Sequence, residues 1–469
     1  MEASMTNSNT VGYLVVGAGA MGMAFVDALL TETNATIAIV DRRGRPGGHW
    51  NTSYPHVRLH QPSAFYGVNS RELGSGRKDS VGFNAGLYEL ASGTEVVTYF
   101  DQVMQQDFLP SGRVQYFPMS EHEGDGVIRS LVTGDATTVT ATTIVDGTYM
   151  NVTVPSMRPP EFGVADGMIC IPPNDLAQPG VLPGEHHVVV GGGKTAMDAC
   201  LWLLDQHVDP DNITWIRPRD SWCLNRRNIQ PGEEFFEHSI GGFVRQIEIA
   251  AEASSVEDLF AGLEAEQLLL RVDPDVQPTM YRCATVTESE IEALRSITDV
   301  VRMGRVTRID WSEIVMEQGS IATSPGTVHV DCTADGLERR PVRPVFDGDL
   351  ITLQAVRTCQ QVFSAAFIGH IEAAYDDEDL KNELATVVPH PNTDIDWLRV
   401  TLANGMNSAR WRQDEDLTAW LSAARLDAFS ELRGVVSEPE GEQAGLLDRL
   451  NEAAIPAVLK LQEFLATSE

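Results

Sequence analysis

Two stretches of the chain run apolar, break into glycines and resume at helical spacing. Val11 to Val16 (VGYLVV) is the short, near-continuous apolar run of a strand buried on both faces. It breaks at Gly17-Ala-Gly19-Ala-Met-Gly22, and apolar residues then continue to Leu30. The order recurs in "HHVVVGGGKTAMDACLWLL", where Ala196, Met197, Cys200, Leu201, Leu203 and Leu204 make one core-facing helical stripe. "TIAIVD" and "NITWIRPRD" supply the strand that follows each helix. The pattern therefore predicts two strand–turn–helix–strand units. Elsewhere, Val57, Leu59 and Gln61 alternate with Arg58 and His60 and predict a short strand ended by Pro62. Residues 142–156 read as a further strand, and the proline-rich stretch 156–184 as a connector. Residues 230–300 read as mostly helical, with Ser254-Ser255 capping a helix. "SIATSPGTVHVDCTADGL" (320–337) reads as the strand that re-enters the first unit, 346–375 as a strand and helix, and the last ninety residues as a helical cover or oligomer surface.

The glycines carry specific chemistry. Gly17 permits a tight turn, Gly19 lets a phosphate approach the backbone, and Gly22 lets helix and strand pack closely. The helix then presents free N–H groups to an anion. Asp41 closes the second strand 19 residues after Gly22, where a carboxylate grips a ribose 2′-hydroxyl and repels a 2′-phosphate. The first loop is thus built for FAD or NAD. The second loop, Gly191-x-Gly193-x-x-Ala196, is the variant with alanine third, and Lys194 and Thr195 stand at its helix start. Its following strand ends in Arg217 and Arg219 instead of an acid. Guanidiniums there suit a 2′-phosphate and point to NADPH; the alternative is that they pair with Asp220 or other acids.

"DRRGRPGGHW" now adds a family likeness. An acid, five residues, two glycines, one residue and tryptophan resembles the FAD-binding extension of the flavin-containing monooxygenases, within the class B flavoprotein monooxygenases. The resemblance covers most of 12–375, with specific motifs only near 15–50 and 188–219. It implies that Gly48 and Trp50 lie near FAD. It also implies a flavin C4a-hydroperoxide, formed with O2 after NADPH reduction, that oxygenates a small soft nucleophile. By the same resemblance Gln61 would hydrogen-bond the flavin ring, with Arg58 or His60 facing substrate; the alternative is a polar edge strand. The family's F-x-G-x-x-x-H-x-x-x-W motif is incomplete: Phe162 and Gly163 are present, the histidine is not, and Cys170 lies in the region. That departure counts against Baeyer–Villiger oxidation and leaves N- or S-oxygenation of an amine or amino-acid-like substrate. The fold implied is α/β: two doubly wound, Rossmann-like dinucleotide-binding domains, the NADPH domain inserted into the FAD domain. The boundaries read as 1–165 and 326–469 for the FAD domain and 166–325 for the NADPH domain, with 230–300 as its helical insertion.

Composition narrows the alternatives. A chain of 469 residues exceeds one ordinary core. A formal charge of −33, from 67 acids against 34 bases, disfavours nucleic acid and anionic membranes as partners. No apolar run reads as a membrane span, and "MEASMTNSNT" has no basic leader, so a cytoplasmic protein is expected. The six cysteines are far apart, which argues against a dithiol centre, a zinc site and a disulfide framework. The eleven histidines show no paired ligand spacing, so no metal is expected. Two other readings stay open: an NADPH oxidase or flavin-dependent reductase without oxygen insertion, and a non-catalytic nucleotide-binding regulatory protein.

Overall fold

The computed structural model describes residues 10–178, 186–337, 339–430 and 442–468. The N-terminal segment read for a leader and residues 179–185 of the connector lie outside them.

Two separate parallel sheets organise the chain. The first has six strands in the order Phe346–Asp347, Leu350–Thr352, Thr140–Asp146, Thr10–Val16, Ile37–Val40 and Val114–Phe117. Every pair in it is parallel except the hairpin Phe346–Asp347/Leu350–Thr352. The second has five strands, in the order Val300–Val301, Ile213–Ile216, His186–Val190, Thr327–Asp331 and Ile169–Ile171, all pairs parallel. All strands of the second sheet fall between Asp146 and Phe346, so this unit interrupts the first. Parallel strands need helical crossovers, which cover both faces and explain why Leu14, Val15 and Val188–Val190 are all buried.

Helix Ala20–Glu32 lies against helix Gln361–Ala374 at the centre of the first core. A Cβ on Gly369 would stand 2.8 Å from Ala28 Cβ, so glycine there sets the close approach of the two helices. The second core packs helix Lys194–Asp205 onto its sheet through Met197, Cys200 and Leu203. No helix among the described residues is long and apolar enough to cross a membrane.

Four expectations are corrected. Thr327–Asp331 does not re-enter the first unit: it pairs with His186–Val190, and the return occurs at Phe346–Thr352. The second unit thus runs past the boundary placed at 325. A buried apolar strand fits any parallel sheet, and only its neighbours decide which. The insertion at 230–300 is not helical throughout: beside helices Gly242–Glu252 and Val256–Ala265, the second N-capped by Ser255 as expected, Met280–Val286 forms a three-stranded sheet with Ser221–Asn225 and Leu269–Leu270. Residues 57–59 alternate in burial as expected, but Gln61 is only half-buried like His60, and the stretch forms no regular strand, only an isolated bridge between Arg58 and Ser92. Finally, Cys283 and Cys359, 76 residues apart, are joined in a disulfide with a Cα–Cα distance of 6.5 Å. Distance along the chain had hidden that pair.

Candidate nucleotide-binding sites

The first loop is shaped by steric need. Gly17 has φ +103°, a left-handed conformation that glycine alone adopts freely. A Cβ on Gly22 would stand 2.1 Å from the carbonyl oxygen of Gly17, so any side chain there would push helix from strand. Gly47 N donates to Ala18 O at 2.9 Å, and a Cβ on Gly48 would stand 2.9 Å from Gly19 Cα. The Gly47-Gly48 turn is therefore seated directly on the fingerprint loop. The helix starting at Ala20 has no side-chain cap, so its first N–H groups are left for an anion. Asp41 is buried and accepts from Ala18 N and Arg43 N, both at 2.7 Å. A carboxylate has about four lone-pair sites, so two bonds to backbone leave capacity for a ribose hydroxyl. Trp50 donates through Nε1 to Tyr66 Oη at 2.7 Å, which fixes the ring beyond the turn.

The second loop uses its glycines differently. A Cβ on Gly191 would stand 2.9 Å from Cys332 O, and one on Gly192 2.6 Å from Arg219 O. Both serve packing within the protein. At Gly193 a Cβ would meet nothing within 4 Å, and the helix beginning at Lys194 again lacks a side-chain cap. The cradle and the free N–H groups fit a phosphate at both loops.

The arginines at the second strand end part company. Arg217 is 2% exposed and pairs with Asp220 at 2.8 Å, over the ring of Trp215. The structure thus turns Arg217 inward and corrects its expected role at a 2′-phosphate. Arg219 is half-buried and donates to Asn392 Oδ1 at 3.0 Å. Burial first, then the charges of Arg282 and Arg305, hold its pKa below the usual arginine value.

A buried polar network joins the two units. Lys194 pairs closely with Asp198 one turn along its own helix, and its Nζ lies 4.0 Å from Glu290. Lys194 is thereby engaged inside the protein. Tyr54 Oη donates to Asp198 at 2.7 Å, and Thr195 also hydrogen-bonds Tyr54. Arg226 pairs with Glu290 at 3.0 Å and donates to His60 O at 2.8 Å. Burial alone would raise the Asp198 pKa; Lys194, foremost among the opposing groups, carries it below the usual carboxylate value. His56 stacks on Trp202 at 5.2 Å. Burial pushes His56 down to about 4 and His60 to about 3, so both rings are neutral at neutral pH.

The three residues expected at the reacting centre do not converge. Arg58 is exposed and donates to Leu90 O at 3.0 Å. Gln61 folds back, donating to Phe65 O at 3.2 Å. Of the three, His60 alone feels the charges of the Lys194–Asp198 pair. Tyr54 and Asp198 went unpredicted; the i,i+4 spacing of Lys194 and Asp198 was the signal available for the latter. Among the described residues no cluster of three or more metal-ligating side chains occurs.

Residues 15–69 match the model of the NAD(P)-binding Rossmann-like domain family. The uncharacterized protein Rv2000 of Mycobacterium tuberculosis (strain H37Rv) is 53% identical over 420 residues, covering 90% of this chain and 78% of that protein. The uncharacterized protein Mb2023 of Mycobacterium bovis matches with the same identity and coverage. A flavin-containing monooxygenase from Stenotrophomonas maltophilia is a distant structural likeness, at 13% identity and TM-score 0.46, covering 78% of this chain and 97% of that one.

Proposed function

The chain belongs to the family of these mycobacterial proteins, and we propose that it is an FAD- and NADPH-dependent monooxygenase acting on a small soft nucleophile at nitrogen or sulfur. One observation carries this reading. Gly48 rests on the first glycine loop, and Tyr54, six residues later, contacts Thr195 and Asp198 at the second. Six residues span at most about 20 Å, so the two glycine loops lie within reach of one another, as a flavin and its hydride donor require.

In this reading Gly19, Gly48 and the Ala20 helix end hold the FAD pyrophosphate, and Asp41 holds its ribose. Gly193, Thr195 and Arg219 hold NADPH. Lys194 positions Asp198, which in turn fixes Tyr54 between the loops. When bound, the flavin supplies the chemistry: it takes hydride from the nicotinamide and activates O2. The protein's share is positioning. The stacked His56 and Trp202 bring no charge to the space beside Tyr54 and Asp198.

The test is NADPH and O2 consumption by the purified yellow protein against a panel of amines and thioethers. One oxygenated product per NADPH, with peroxide falling as substrate is added, supports the proposal. A protein that binds no flavin, or oxygenates nothing on the panel, sinks it. A second reading, an NADPH oxidase, is favoured by the failure of Arg58, His60 and Gln61 to converge. Peroxide formed in equal yield with and without every substrate would select it.

A further inference from the structure

The Cys283–Cys359 pair stands apart from both nucleotide loops and joins the two units. Cys283 lies in the strand Met280–Val286, whose sheet belongs to the inserted unit. Cys359 lies in the turn before helix Gln361–Ala374, which packs on the first fingerprint helix. The two cysteines also have the left-handed backbone that side-chain-bearing residues rarely adopt, with φ +56° and +60°. A bulge in a strand and a turn before a helix thus bend to bring two sulfurs together, and such conformations persist where the surroundings enforce them.

The two sulfurs are not equivalent. Cys283 is buried, whereas Cys359 is half-buried. Cys359 directly precedes Gln360, the N-cap of its helix. His390 Nδ1 lies 3.8 Å from Cys359 Sγ. Burial, then the nearby charge of Arg282, pushes His390 down to about 4, so its ring is a neutral neighbour of the sulfur and the thiol proton goes to solvent. The same histidine lines a small cavity of about 20 Å³, room for about one water, together with Met150, Arg340 and Gln354.

We propose that Cys283 and Cys359 form a thiol–disulfide exchange site for low-molecular-weight thiols and disulfides, with Cys359 as the exchanging sulfur, and that it ties or frees the two units. In closure, the Cys359 thiolate attacks a disulfide RSSR and expels one RS⁻, forming a mixed disulfide at Cys359. The Cys283 thiolate, its proton lost to solvent, then attacks Cys359 Sγ and expels the second RS⁻. Two electrons pass from the protein thiols to RSSR, and two RSH leave. Opening is the reverse, driven by excess RSH.

The tie reaches the segment that crosses between the units. Asn392 accepts from Arg219 through its side chain and from Tyr281 N through its carbonyl at 3.4 Å, two residues from His390 and two from Cys283. Opening the disulfide should loosen this crossing.

The full-length protein, without added nucleotide, would be equilibrated in buffers of varied reduced-to-oxidised glutathione ratio. It would then be acid-quenched, alkylated and mapped by mass spectrometry. Cys283 and Cys359 should convert together and reversibly in the native state. The Cys283→Ser variant should collect glutathione at Cys359, and the Cys359→Ser variant should collect far less at Cys283. Amide exchange at Tyr281 should be faster in the dithiol form. The proposal is overturned if both cysteines alkylate at every ratio, if the bond opens only on denaturation, if both variants trap glutathione equally, or if exchange at Tyr281 is the same in both forms. Should a variant fail to fold, the native titration alone decides. No nucleotide is involved, so failure here leaves the proposed monooxygenase reading intact.

Discussion

The two glycine loops share a sequence signature and are built for different jobs. At the first, the glycines meet one another: Gly22 against Gly17, Gly48 against Gly19. The loop is compact because two segments of glycine backbone interlock, and Asp41 is bonded to that backbone. At the second, two glycines accommodate neighbouring backbone and only Gly193 is open. Its helix start is crowded by Lys194, Asp198 and Tyr54. One pattern of glycines therefore serves steric interlock in one place and clearance in the other.

The largest expected effect separates the loops by methyl groups. Gly22→Ala forces a Cβ onto the Gly17 carbonyl and should cost about 3 kcal/mol and abolish flavin binding. Gly193→Ala meets open space and should cost about 1 kcal/mol or less while weakening NADPH. Denaturant melts and flavin absorbance on both variants would check this, and equal destabilisation would erase the contrast.

Next come the two arginines. Arg217→Ala leaves Asp220 buried and should cost about 3 kcal/mol, with Arg302, also paired to Asp220, softening the loss. Its preference for NADPH over NADH should stay near that of the parent. Arg219→Ala should fold normally and raise KM for NADPH far more than for NADH. The opposite pattern in the kcat/KM ratios would return the 2′-phosphate to Arg217.

Tyr54→Phe removes one donor from Asp198 and should cost about 1–2 kcal/mol. If Tyr54 couples the loops, NADPH should also reduce the flavin more slowly in a stopped-flow trace, whereas a purely structural tyrosine would leave that rate alone.

The smallest effect is a pH slope. His56 and His60 titrate near 4 and 3 in the folded chain, against about 6.5 when free. From pH of about 6.5 downward the unfolded chain takes up protons that the folded chain refuses, so stability falls as pH drops; above that these rings contribute no slope. His60→Gln should flatten the urea midpoint between pH of about 6.5 and 4. Parallel curves for parent and variant would show that His60 is protonated in the folded state.

Much of the first loop was readable because its chemistry is local. Gly17 and Gly22 shape the turn and the strand–helix contact within one strand–helix–strand unit, and Asp41 bonds the loop backbone of that same unit, so spacing alone brings them together. Arg217 was misjudged because its partner, Asp220, competes with any ligand, and burial decides that competition. Arg58, His60 and Gln61 form a sequence cluster, but each turns to a different neighbour.

What the sequence determined by itself is the pair of units, their turns and the sign of the charge at each strand end. Periodicity and glycine placement are short-range properties, and they survive whatever surrounds them. The tertiary structure alone decided that Thr327–Asp331 joins the second sheet, that Tyr54 reaches Asp198, and that Cys283 meets Cys359. The last two contacts join residues 144 and 76 positions apart. The free energy that selects such contacts comes from burial and pairing in the assembled core, which no local window of sequence contains.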